Sequence, residues 1–456
     1  MKEKKQKEVS TAFKWFHATS LSGGAMIISA IIASYFSVFM TDTMMLPAAA
    51  CSVIMFIATL WDAINDPMMG VIADRTHTKW GKYRPYFLPA PLLLMLFSTL
   101  IWVNPPFGNT GKIIWVLITY IGWGMTVTMY TMPHMAVLPA CVKGDKERNT
   151  IVTMGAAVTA IAFTVGNTFT VQIKAACENI FHVKNGYIPM MIIFSALACI
   201  SFWGLFATSK EKYIKPQESK SSTALRTVLK HKELLPFILV WIMASMGYGL
   251  MFASSIYYIM YYICRPDQIP VYMGIVSIGA LLSMVVFMPI ALKIFKSGHA
   301  ALKWTQVISI ICYAVLFIFG KKHLTFLYVM TFITTAIASM SNALTVVLVN
   351  DAIDYIQLKE GFSANGIISS IKGFAQKCGT TVVSSGILGL LAASGYIANA
   401  VGQQPQSALF AINFLRFGVP CVTGIILVIC MQFNPIEKCR PEIEEMKKQM
   451  NAEEVE

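Results

Sequence analysis

Asp62 and Asp66 stand four residues apart in the apolar run LWDAINDPMMGVIADR, with Asn65 three residues after the first acid. On a helix that spacing puts all three side chains on one face. An acid at the centre of a membrane helix costs about 2.5–3.5 kcal/mol. Two on one face also repel each other, so they need a shared proton or a bound cation. Carboxylate and amide oxygens are hard ligands and suit a small hard cation. Pro67 weakens the helix just beyond them and frees a carbonyl. The alternative, acids at a helix end meeting water or a basic partner, sits badly with the apolar residues Met68, Met69, Val71 and Ile72 that follow.

Three further groups interrupt otherwise monotonous apolar runs. Thr126, Thr128, Tyr130, Thr131 and, after Pro133, His134 form a polar cluster in one run. Single hydroxyls there are more often bonded to their own helix, but a proline-weakened helix near the midplane is where binding sites form. Lys377 lies deep in SSIKGFAQKCGTT, with Lys372 before it. An intramembrane lysine requires a carboxylate, a cavity or a neutral form. Its candidate partners are Asp62, Asp66 or an anionic solute, whereas Lys372 is as well explained by snorkelling. Asp74 and Arg75, followed by THTKWGKYRP with Lys82 and Arg84, order charges at a helix end as a latch would; a solvated basic loop explains the charge but not so specific an order.

The elements that must position these residues are membrane helices. The chain has 456 residues, of which 56 % are hydrophobic and only 13 % charged, about half the charge of a soluble domain, and its mean hydropathy is +0.62. Apolar stretches of about 20 residues, the length that spans a bilayer, occur near 20–41, 46–73, 86–104, 113–141, 150–173, 187–208, 234–262, 270–292, 304–320, 325–350, 364–394 and 408–432. The expected fold is an all-α membrane protein of twelve transmembrane helices. Despite the net charge of +13, the basic residues are strung through loops, which argues against nucleic-acid binding. With both termini placed inside, the inner segments hold 27 Lys and Arg and the outer loops 6, so both ends are expected in the cytoplasm and the cell membrane is the expected location. The hydrophilic stretch after the sixth span divides the chain into an N-terminal six-helix bundle (1–208), a linker (209–233), a C-terminal bundle (234–432) and a tail (433–456). Six plus six is the layout of a transporter made of two pseudo-symmetric bundles. The seven histidines and ten cysteines show no spacing for an enzyme nucleophile or a metal set. No cofactor is expected, and a monomer is.

WDAINDP followed by DRTHTKWGKYRP resembles the signature of the glycoside–pentoside–hexuronide:cation symporters, the melibiose-permease group of the major facilitator superfamily. WGMTVTMYTMPHMAVLP, Lys146-Glu147-Arg148 and Asp351-Ala-Ile-Asp354-Tyr355 also match, so the resemblance extends along the chain. It implies the major facilitator fold and symport, by alternating access, of a sugar, glycoside or uronide with Na+ or H+. It places the cation site on Asp62, Asn65, Asp66 and Thr128, retains the helix-eleven lysine as Lys377, and adds Arg148, Asp351 and Asp354 to the candidate gating charges. On the sugar side this chain departs: the family's acids and aromatic platform fall on Met26, Thr131 and Met135, and an arginine on Ala156. The pocket is thus rewritten, and a less polar or amphipathic solute is the alternative cargo. A non-coupled facilitator or exporter is the alternative mechanism, and it would have no need of the paired acids.

Overall fold

A computed structural model describes residues 9–213, 227–228, 230–295, 297–361, 364–434 and 439–453. Most of the expected linker, residues 214–226 and 229, lies outside them. The described residues are helical, with one isolated bridge, Thr78 to Gly81, in place of any strand. In order the helices are α1 (Thr11–Ser20), α2 (Gly24–Val38), α3 (Ala48–Arg75), α4 (Ala90–Leu100), α5 (Asn109–Cys141), α6 (Asp145–Thr168), α7 (Thr170–Phe181) and α8 (Tyr187–Thr208). The second half holds α9 (Leu235–Ala253), α10 (Ile269–Leu282), α11 (Met288–Phe295), α12 (Gly298–Phe319), α13 (Leu324–Ala338), α14 (Met340–Glu360), α15 (Asn365–Ala393), α16 (Gln406–Asn413), α17 (Val419–Gln432) and α18 (Arg440–Glu453).

Among the described residues, ten helical stretches are long and apolar enough to cross a bilayer. The other two expected spans have particular reasons for falling short. The third is cut to the 11 residues of α4 by Pro85, Pro89 and Pro91 at its entry. The eleventh, α15, is 29 residues long but carries Lys372, Gln376 and Lys377. The fifth expected span ends early, at Thr168, and α7 continues beyond a break at Phe169.

The chain divides into two compact units. The first comprises residues 1–216 with 265–277 and 388–401, the second 217–264, 278–387 and 402–456. The cut near residue 216 falls inside the expected linker, while two short pieces of the second half group with the first unit. The first unit has an aromatic core in which Trp102 stacks on Tyr187 at 4.0 Å and Phe36 on Tyr120 at 5.3 Å. In the second, Phe237, Trp241, Leu344, Leu348, Ile356 and Leu427 form the core.

The two halves repeat a local device. After α2 the chain makes a π-helical turn (Phe39–Thr43), then a left-handed residue, Met45 (φ 57°), then Pro47 before the next helix. In the second half the π-helical turn Tyr258–Tyr262 is followed at the same spacing by Cys264 (φ 59°) and Pro266. A matched sequence of unusual backbone states is strong internal evidence of a repeated six-helix design.

Candidate functional site

Helix α3 divides its faces sharply. Val53, Phe56, Ile57, Leu60, Ile64, Met68, Val71 and Ile72 recur at three- and four-residue spacing and are 42–58 % exposed. A stripe of that size is tolerable only against lipid. Asp62, Asn65 and Asp66 lie off it, and Asn65 is buried. Their face turns toward α5. Thr128 donates its hydroxyl to Asp66 Oδ1 at 2.8 Å. One turn earlier on α5, Gly124 has no side chain where Asp62 lies, and a Cβ built there would stand 2.4 Å from Asp62 Oδ1. Two carboxylates one turn apart on α3 thus meet a glycine and a hydroxyl one turn apart on α5.

The chemistry of this cluster favours a cation. The Thr128 hydroxyl has one hydrogen but two acceptors in reach, Asp66 Oδ1 and the Gly124 carbonyl at 3.2 Å. It can therefore hand its hydrogen to the carbonyl and offer a lone pair instead. Asn65 Nδ2 is buried with no hydrogen-bond partner among the described residues; an amide rotated by half a turn presents an oxygen there. Pro67 lies inside α3 without ending it, and its missing N–H leaves the Ala63 carbonyl without the usual helical donor. Gly124 was not singled out in the sequence. The signal available was its four-residue spacing from Thr128, which matches that of the two acids.

The other expected solute contacts scatter. Along α5, Thr131 and Met135 continue the face of Gly124 and Thr128; Thr131 is half-buried and Met135 is 64 % exposed. Met26 on α2 is half-buried. Tyr130 and His134 instead turn into the packed interior of the first unit. Tyr130 is 1 % exposed, with its ring 5.0 Å from Phe202. The His134 ring packs tilted against that of His17, 4.1 Å between centres, and its Nε2 donates to the His17 carbonyl at 3.1 Å. Both side chains thus pack inside the bundle, away from the face of Thr131 and Met135. Lys372 and Lys377 are half-buried on α15, and five residues of helix turn them about 140° apart, so they serve different faces.

The expected gating charges have local partners. Around Gly81 (φ 115°) the loop after α3 wraps the carboxylate of Glu211, which accepts the backbone N–H groups of Lys82 (2.7 Å), Tyr83 (2.9 Å) and Arg84 (2.9 Å). A Cβ on Gly81 would come within 2.8 Å of that carboxylate, so both the turn and the ligand demand glycine. Arg84 donates Nε and Nη2 to the Phe206 carbonyl in the last turn of α8 (3.1 and 2.8 Å), and Arg148 donates Nε to the Val142 carbonyl (2.7 Å) just past α5. Their guanidinium groups cap helix ends of their own unit, where the helix dipole favours positive charge. Lys82 lies over the Tyr83 ring, Arg75 is exposed, and the side chain of Asp74 lies outside the described residues. In the second unit Asp351 meets Arg440 of α18 at 3.6 Å, and Asp354 is half-buried.

Helices in two repeated halves, with carboxylates turned away from lipid, define a secondary transporter. A family model described as MFS/sugar transport protein matches residues 20–438, and the chain belongs to that family. It is 27 % identical over 444 residues to an isoprimeverose transporter of Lactiplantibacillus pentosus, covering 95 % of this chain and 91 % of the relative. It is 22 % identical to a putative glycoside/cation symporter of Escherichia coli strain K12, over 89 % of this chain and 87 % of that one. Among solved structures it is similar to a bacterial homolog of the human lysosomal transporter Spinster, with TM-score 0.67 at 13 % identity, covering 93 % and 97 % of the two chains, a likeness of fold. The chain is thus a multi-pass membrane transporter of small solutes rather than an enzyme.

Proposed function

We propose that the protein is a cell-membrane symporter, both termini cytoplasmic, that takes up a glycoside, pentoside or uronide together with Na+. The observation that carries the ion is the α3–α5 cluster. Asp62 and Asp66 would serve a proton equally well, but the neutral oxygens of Asn65 and Thr128 add nothing to a bare proton and complete a shell for a small metal cation. Glycosides head the solute classes because similar transporters are named for them. The apolar Met26, Met135 and Ala156 at the sugar-side positions favour a second reading, a glycoside with an apolar aglycone. Lys377, half-buried, supports a carboxylated one. We take the monomer as the working unit.

Moving one charge down 100 mV supplies about 2.3 kcal/mol, enough for roughly fiftyfold accumulation. The test is uptake into proteoliposomes under imposed Na+ or pH gradients, with labelled isoprimeverose, uronides and alkyl glycosides. Gradient-driven accumulation of one class, reduced to simple equilibration in Asp62→Asn and Asp66→Asn, is expected. Undiminished gradient-driven uptake in both variants would refute the cation assignment.

A further inference from the structure

Asp42 sits in the π-helical turn that closes α2, and it draws together residues from opposite ends of the sequence. Tyr396 donates its hydroxyl to Asp42 Oδ1 at 2.7 Å, and Asn399 donates Nδ2 to the Asp42 carbonyl, also at 2.7 Å. The same Asn399 nitrogen reaches Met45 Sδ at 3.2 Å, and Thr41 adds its own hydroxyl to Asp42 Oδ1 at 2.8 Å. On its other side this turn is held by the α4–α5 loop and by α5. Asn104 donates to the Thr43 carbonyl at 3.1 Å and Lys112 to the Met44 carbonyl at 3.0 Å. All of these residues belong to the first compact unit, which takes in 388–401 from the second half of the sequence.

We propose that Asp42, Tyr396 and Asn399 form a releasable clasp between the α2–α3 turn and the segment after α15, and that opening it parts these segments during transport. Three observations favour a clasp over permanent packing. Its bonds are polar and partly exposed, with Asn399 itself exposed, so water can replace each partner as it leaves. Asn399, which has no counterpart in the repeated turn, holds a left-handed state (φ 60°), a conformation that surrounding contacts must maintain. The matching turn of the second half lacks the device: five residues before Pro266, where Asp42 precedes Pro47, stands Tyr261, fully buried. The repeat supplied the turn, and the carboxylate at its surface belongs to one copy only.

The clasp rests on the transporter reading for its purpose, but it is testable without any solute. Ser52 on α3 lies against α15, since a Cβ on Gly389 would stand 3.2 Å from its Oγ; Ser52→Cys therefore places a thiol at the seam. In the full-length protein in liposomes, labelling by a methanethiosulfonate reagent is followed for each cysteine by peptide mass mapping. Adding Tyr396→Phe or Asn399→Ala is expected to speed labelling at position 52 about tenfold, while buried Cys177 and Cys199 react at the parental rate. Asp42→Ala combined with Tyr396→Phe is expected to add little to either alone, because they remove one bond between them. Unchanged labelling at position 52 in both single variants overturns the proposal, as does faster labelling at all three cysteines alike, which would mean general loosening. Absence of gradient-driven uptake in the parental protein, with the labelling pattern as expected, would count against the symport reading and leave the clasp standing.

Discussion

Two of the carboxylate sites in the first unit have opposite surroundings. Glu211 accepts three backbone N–H groups in succession from the loop after α3. Asp62 and Asp66 face a glycine and a hydroxyl whose only hydrogen has another acceptor in reach. A carboxylate offers about four lone-pair positions. Where backbone donors fill them, the acid is a fixed part of the fold. Where a like charge, a glycine and an adaptable hydroxyl stand beside it instead, the acid is suited to a ligand that comes and goes. The difference between a structural acid and an ion ligand therefore lies in the donors nearby, not in the residue.

That contrast can be broken from either side. The largest effect is expected from Glu211→Ala, which leaves three N–H groups of one loop without their shared acceptor. Charge-assisted bonds are each worth about 1.5–3 kcal/mol and do not add fully, so a stability loss of about 3 kcal/mol is expected. It should be read by thermal melting in detergent, and stabilisation by added Na+ should persist in this variant. Gly124→Ala comes next. The new methyl would crowd Asp62 Oδ1 and is expected to weaken the Na+ response about tenfold, or about 1.4 kcal/mol, with little change in melting without sodium. Thr128→Val is the mildest: one hydroxyl ligand is lost for about 1 kcal/mol, a several-fold weakening in the same sodium titration. If Gly124→Ala and Thr128→Val leave the sodium response untouched while Glu211→Ala removes it, the two sites have been assigned the wrong way round.

Periodicity and composition made the membrane helices and the face of Asp62, Asn65 and Asp66 legible, because oil leaves so few places for a charge. Whatever depended on a partner far away in the chain was hidden. Glu211, flanked by Lys210 and Lys212, reads as a solvated linker residue, and nothing local says that the loop around Gly81 closes on it. Tyr130 and His134 share a run with Thr128, yet two residues of helix turn Tyr130 about 160° from it and six turn His134 about 120° from it, to where Phe202 and His17 pack against them. Arg84 and Arg148 read as latch charges because their number and order are visible in sequence, whereas the carbonyls they cap are not.

The two acceptors around Thr128 have a kinetic consequence. At the proposed ion site, exchange between empty and loaded asks of Thr128 only a rotation about one C–O bond, with no proton released to water. Such torsions relax in picoseconds to nanoseconds, whereas movements of whole helix bundles take microseconds or longer. A coupling cation held as proposed would thus equilibrate with its ligands many times before the carrier next reorients, and turnover would be limited by the protein's slow motion rather than by ion capture.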